Sequence, residues 1–190
     1  PSSHLVVAEI DPGVTEVAYN ELNLPRDTRI ETHDLDARLY LTWQAKPDSY
    51  DVVFGDAFND YSVPFHLTTL EFDQLVDSVL KDNGLYLANI IDGGPHGHFM
   101  RAFVRTLQQV FANVIVIPTV EDWQSSIRTT FVIVASQKPI DLSGVNTAYH
   151  PLTEQELNDY LQLEPPLILT DDHVPVDNLL APVFDDSHRG

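Results

Sequence analysis

Residues 50–91 read YDVVFGDAFNDYSVPFHLTTLEFDQLVDSVLKDNGLYLANII, and a change of period inside this stretch decides the fold class. Tyr50–Gly55 is a short, nearly continuous apolar run ending at Asp56, the pattern of a buried strand. Further on, Leu67, Leu70, Leu75, Val76, Val79 and Leu80 recur at helical spacing. Thr68-Thr69-Leu70-Glu71 has the spacing of a capping box, in which a hydroxyl and a carboxylate satisfy each other's orphan backbone donors, and Asn83-Gly84 supplies a stop. Leu85–Ile91 then returns to strand character. Strand, helix and strand in that order predict a right-handed crossover between parallel strands.

The same alternation extends in both directions. Upstream, Leu5–Ile10 reads as a strand closed by Asp11-Pro12-Gly13, followed by a helix over Val14–Leu22, a strand at Arg29–His33 and a helix over Ala37–Gln44. Downstream, Pro95 suits a first helical turn, and Phe99, Phe103, Val104, Leu107, Val110 and Phe111 form the buried stripe of a helix. Val114–Pro118 and Thr130–Ala135 are predicted as the last strands, the second rich in β-branched residues. Beyond Gln137 the pattern weakens to a short helix near Glu154–Leu161 and a proline-rich tail. The expectation is an α/β fold with a mostly parallel sheet and helices on both faces. Residues 1–140 are expected to form the main domain, with 141–190 an extension packed on it.

Bulk properties narrow the function classes. At 190 residues and 43% hydrophobic content, the chain can bury one sizeable core. No apolar run approaches the roughly 20 residues needed to span a bilayer, so no membrane segment is expected here. The start, PSSHLVVAEID, has no secretory leader character, and the absence of cysteine excludes thiolate chemistry; both fit a cytoplasmic setting. Ten Lys and Arg against 29 Asp and Glu leave a formal charge of −19. Such a surface repels nucleic acid and attracts polycations, although the same acidity also serves solubility alone.

In parallel α/β sheets, ligands bind beyond the carboxyl ends of the strands. That rule selects Glu9–Asp11, Asp34–Asp36, Gly55–Asp60 and Asn89–Gly94. Glu9 ends a strand, where a carboxylate can accept both hydroxyls of a ribose, while Asp11 suits a helix cap. Of Asp34 and Asp36, one can accept the exocyclic amine of a purine and the other can cap the next helix; the residue pattern does not rank them. Asp56, at the tip of the central strand, can take a proton from an amine or hold an ammonium if partly desolvated. His96 and His98 diverge if their segment opens a helix, and Asp171-Asp172-His173 reads as a terminal turn, so no metal site is expected.

Together these segments resemble the spermidine synthase-like (polyamine aminopropyltransferase) family. Val7-Ala8-Glu9-Ile10-Asp11 is similar to its strand-ending V-E-I-D motif, and Asp36-Ala37-Arg38-Leu39-Tyr40-Leu41 to its D-G/A-R-x-F/Y-L segment. Tyr50-Asp51-Val52-Val53-Phe54-Gly55-Asp56 matches its Y-D-V-I-x-x-D strand. The stretches 63–72 (VPFHLTTLEF) and 169–177 (LTDDHVPVD) resemble segments of its bacterial relatives. The resemblance implies a Rossmann-like, methyltransferase-type fold. It implies decarboxylated S-adenosylmethionine or S-adenosylmethionine as co-substrate rather than a tightly bound cofactor, and a small amine or polyamine as acceptor. It gives Glu9 the ribose, Asp36 the adenine amine, and Asp56 the role of positioning and deprotonating the attacking amine.

Two departures shape the expectation. The family's second aspartate, three residues after the catalytic one, is Asn59 here, with Asp60 next to it; either could bind substrate, but the change puts a polyamine acceptor in question. The family's first strand and glycine-rich loop have no counterpart before Leu5, so the sheet is expected to be interrupted beside the Glu9 strand, and the chain is expected to be a fragment with little activity alone. A methyltransferase and a non-catalytic binding or assembly domain, including a homo-oligomer, are the alternative readings.

Overall fold

In the computed structural model the described residues are 3–57, 63–94, 97–126, 128–145 and 149–187, the side chains of 184–187 excepted. They fall into two compact units, Pro1–Lys46 and Pro47–Gly190.

In the first unit, β1 (Leu5–Ala8) and β2 (Ile30–His33) form a parallel ladder, with Leu5 opposite Ile30 and Ala8 opposite His33. Between them runs α1 (Pro12–Asn20), whose N-cap Asp11 accepts a hydrogen bond from the Gly13 amide at 2.8 Å. Proline at the first helical position needs no N–H there, which is why Asp11-Pro12-Gly13 starts the helix two residues before Val14. After β2, α2 (Ala37–Trp43) begins at the cap Asp36. None of the described residues of this unit is buried, and Ile10 and Trp43 are about 70% exposed. Its elements are therefore held by the ladder and the caps rather than by a core of their own.

The second unit is built on a four-stranded sheet in the order β3-β4-β6-β5, comprising β3 (Tyr50–Gly55), β4 (Leu80–Asp92), β5 (Asn113–Pro118) and β6 (Thr129–Ser136). β3 and β4 are parallel, while β6 runs antiparallel to both β4 and β5. Three of the four strands thus share one direction, and the sheet is mixed. Strand direction leaves no trace in side-chain periodicity, so the reversal of β6 was not readable from the chain. Among the described residues, β1 ladders only with β2 and β3 only with β4; each presents an edge without a partner strand.

Alternation along β4 places Tyr86, Ala88 and Ile90 on one buried face, opposite Ala135, Ile133 and Phe131 of β6. Over this face lie α3 (Leu70–Val79) and α4 (Phe99–Leu107), which contact each other and β4. They bury Phe72, Val76 and Val79 from α3, and Phe99, Met100, Phe103, Val104 and Leu107 from α4. Each such side chain contributes roughly 1.5–3 kcal/mol of transfer free energy. Gly55 is dictated by this packing: a Cβ there would sit 2.7 Å from the Tyr86 hydroxyl.

Helix boundaries shift in instructive ways. The N-cap of α3 is Thr69, whose Oγ1 accepts from the Phe72 amide at 3.3 Å, not Thr68. Thr68 instead donates to the Phe65 carbonyl, closing the short 3-10 turn Phe65–Leu67. A reciprocal capping box does occur, at Thr153 and Glu156, opening α5 (Glu154–Gln162). The expected proline-rich tail contains a further helix, α6 (Val176–Ser187), with Pro182 inside it. Its burial of Val176, Leu180 and Val183 outweighs the hydrogen bond that the proline removes.

Candidate functional site

Within the first unit, the tips of β1 and β2 lie side by side. The Glu9 amide donates to the His33 carbonyl at 3.0 Å, and the Leu35 amide donates to the Glu9 carbonyl at 3.1 Å. Glu9 and Asp36 therefore sit at the same end of one parallel ladder. The Glu9 carboxylate turns back on its own strand end, with Oε1 accepting from the Asp11 amide at 2.9 Å. Asp36 accepts from the Arg38 and Leu39 amides through Oδ1, at 2.9 and 3.1 Å, and so caps α2. Between the two candidates in that segment, Asp36 is the cap, and Asp34 is exposed. The cap geometry fixes the direction of the Asp36 carboxylate at the carboxyl end of β2.

Within the second unit, Asp56 follows directly on β3, at the carboxyl end of the β3–β4 pair. It is exposed rather than partly desolvated, because the strand runs out beyond Gly55 before any helix covers it. The Asn89 Nδ2 donates to Asp56 Oδ1 at 3.1 Å. The pairing follows from register, since Gly55 lies opposite Ala88 and the next residue on each strand extends past the ladder. An amide donor from the neighbouring strand restricts the rotation of the carboxylate. Sequence reasoning marked Asn89 as the start of a strand tip but gave it no role; only the strand register shows what it touches. Asn59, Asp60 and His96 lie outside the described residues.

Past the tip of β4, the chain turns through Gly93 and Gly94 into α4. Asp92 is fully buried and accepts from the Gly93 amide at 2.8 Å and the Met100 amide at 2.7 Å. Burial pushes its carboxyl up to about 6, against the lowering effect of those backbone donors and of Arg101. The amino end of α4 is thus filled by a side chain of the fold itself. His98 pairs through Nδ1 with Glu164, which also lies 3.5 Å from Arg101 Nη1. Arg101 donates to the Gly97 carbonyl at 2.6 Å and the Tyr160 carbonyl at 3.1 Å and stacks over the Tyr160 ring. Asp171 and His173 belong to the turn before α6, where Thr170 and His173 exchange backbone hydrogen bonds.

Beneath the β3–β4 pair, Asp73 of α3 and Tyr86 of β4 are buried, and among the described atoms neither carboxylate oxygen of Asp73 nor the Tyr86 hydroxyl has a hydrogen-bond partner. Desolvation holds the Asp73 carboxyl well above the usual carboxylate range.

No family model matches the chain. Over 116 residues it is 32% identical to a probable polyamine aminopropyl transferase of Bifidobacterium longum, covering 60% of this chain and 25% of that protein. Over 90 residues it is 34% identical to a polyamine aminopropyltransferase of Vibrio vulnificus, covering 47% of this chain and 30% of that one. The crystal structure of a probable spermidine synthase from Corynebacterium glutamicum superposes on 90% of the chain, and on 64% of its own, with a TM-score of 0.74 at 21% identity. The chain is thus similar in sequence, over about half its length, to polyamine aminopropyltransferases, and in fold to a spermidine synthase.

Its fold is shared more widely. Human methyltransferase-like protein 13, solved in complex with SAH, covers 94% of this chain at a TM-score of 0.60, with 79% of its own length matched and 23% identity. A spermidine synthase in complex with the transition-state analogue AdoDATO covers 85% at 0.61, with 58% of its own length matched and 21% identity. The eEF1A lysine and N-terminal methyltransferase of Xenopus laevis is 32% identical over 99 residues, 48% of this chain and 14% of that protein. The chain spans about a quarter to a third of the length of the two polyamine transferases it matches.

Proposed function

We propose that this spermidine synthase-like chain carries the acceptor side of an aminopropyl-transfer site, with Asp56 as the carboxylate that receives the amine. The observation that carries the proposal is the Asp56–Asn89 pair just past the last rung of the parallel β3–β4 ladder, with Oδ1 held at 3.1 Å. A carboxylate fixed in this way aligns a primary amine for attack. The amine nitrogen forms a bond to the propyl carbon next to the sulfonium, the carbon–sulfur bond breaks, and methylthioadenosine leaves with the electron pair. The ammonium so formed gives a proton to the carboxylate. Alignment and a waiting base are what such a substitution needs from a protein.

In the first unit, taken by itself, Glu9 would receive the ribose hydroxyls of a nucleoside and Asp36 the adenine amine. Both stand at the carboxyl end of the β1–β2 ladder, where parallel α/β sheets hold nucleosides. Asn59 and Asp60, which follow Asp56 by three and four residues, would decide which amine is accepted.

The second reading, transfer of a methyl group from S-adenosylmethionine, is favoured by the methyltransferases among the relatives and structural neighbours. The two donors differ by one carboxylate. Calorimetry on the protein at its native length separates them. The aminopropyl reading requires decarboxylated S-adenosylmethionine to bind at least about tenfold more tightly than S-adenosylmethionine, a difference of roughly 1.4 kcal/mol. The reverse order would replace it with methyl transfer.

A further inference from the structure

The stretches 63–72 and 169–177 resemble segments of related bacterial sequences, yet neither supplies a group to the chemistry above. The structure joins them. Thr69, the cap of α3, donates its hydroxyl to Asp171 Oδ1 at 2.7 Å. The Asp171 amide donates to Glu71 Oε2 at 3.0 Å, and the Leu70 amide donates to the Leu169 carbonyl at 2.8 Å. Leu169 is fully buried and is itself anchored to α4, where its amide donates to Thr106 Oγ1 at 2.9 Å. The Thr170–His173 bridge closes the turn, and α6 starts directly after it.

The first turn of a helix has amide donors without intrahelical partners. In α3 these are met by the cap hydroxyl on Phe72 and, from a hundred residues away in sequence, by the Leu169 carbonyl on Leu70. Because α3 connects the carboxyl end of β3 to the start of β4, its amino end lies at the same end of the sheet as Asp56 and Asn89. Thr68 and Thr69 are fully buried there. The amino end of α3 is therefore clamped by the segment Leu169–Asp171.

We propose that Asp171 is a positioning residue: acting through Thr69, it fixes the amino end of α3, which stands at the same end of the sheet as Asp56 and Asn89, in the place that the acceptor amine requires. The inference rests on the aminopropyl-transfer reading for its catalytic consequence, but not for the clamp itself. The hydrogen bond needs an acceptor oxygen rather than a charge, so Asp171→Asn keeps it and Asp171→Ala removes it. Two readouts on the protein at its native length test this. In hydrogen exchange, Asp171→Ala should speed the amides of Leu70 to Phe72 by about tenfold while those of β4 and α4 keep wild-type rates, and Asp171→Asn should stay close to wild type. In steady-state kinetics, Asp171→Ala should raise KM for the amine about tenfold with kcat changed less than about twofold, Thr69→Val should do the same, and the double variant should be no worse than either single one. Unchanged exchange in Asp171→Ala, or equal damage from Asp171→Asn and Asp171→Ala, would overturn the clamp. If the wild-type protein transfers no aminopropyl group, the proposed reaction fails and the clamp stands or falls on exchange alone.

Discussion

Single residues carry opposing demands in this chain. Asp73 is buried without a hydrogen-bond partner among the described atoms, and desolvation raises its carboxyl well above the usual range. A carboxyl raised in the folded state contributes stability that is fully present below the unfolded value near 4 and is lost as pH rises through the folded value. Asp92, pushed up to about 6, acts in the same direction between about pH 4 and 6. The neutral isostere Asp73→Asn should therefore melt several degrees above wild type at pH 8, with the gap closing toward pH 4; thermal unfolding followed by circular dichroism across that range checks it. A gap that widens on acidification would show that the carboxylate is ionised and paired. No pattern in residues 70–80 distinguishes Asp73 from a solvent-facing helical aspartate. Its burial follows from α3 facing both β4 and α4, which is a tertiary fact.

At the level of elements, local chemistry was legible where the punctuation was strong. Tyr50–Gly55 matches β3 residue for residue, and the strand at 30–33 and the helix at 37–43 fall within a residue of the expected bounds. Boundaries failed where two residues competed for one role. Thr68 and Thr69 can each start a helix, and the outcome was settled by Asp171, which takes the Thr69 hydroxyl, a partner invisible to local spacing. Glu71, expected to complete a capping box, turns to the Asp171 amide for the same reason. The tail fared worst, because proline argued against a helix that buried apolar residues then stabilised. The capping box of α5 offers a clean test of an element: Thr153→Ala removes the acceptor for the Glu156 amide and should lower stability by about 1 kcal/mol, read from chemical denaturation. No loss would mean that tertiary contacts of Leu157, Tyr160 and Leu161 alone hold α5 in place.

Across the whole chain, the alternation of strands and helices was sufficient to read the α/β class, and the order of motifs was sufficient to read the similarity to polyamine aminopropyltransferases and spermidine synthases. The reversal of β6 and the Asp56–Asn89 contact were not readable, because both depend on register between strands rather than on periodicity within one. The candidate carboxylates Glu9, Asp36 and Asp56 were found at strand ends by a topological rule, and each does stand at the carboxyl end of its ladder. The second unit owns a packed core of aromatic and aliphatic side chains, whereas none of the described residues of the first is buried. What the molecule does depends on whether an exposed carboxylate, steered by one amide, suffices to receive an amine. The most direct measurement is the rate of aminopropyl transfer from decarboxylated S-adenosylmethionine by the protein at its native length, with Asp56→Asn and Asn89→Ala beside wild type. The account predicts a loss of at least about a hundredfold in kcat for Asp56→Asn and about tenfold for Asn89→Ala. A rate for Asp56→Asn equal to that of wild type would contradict it.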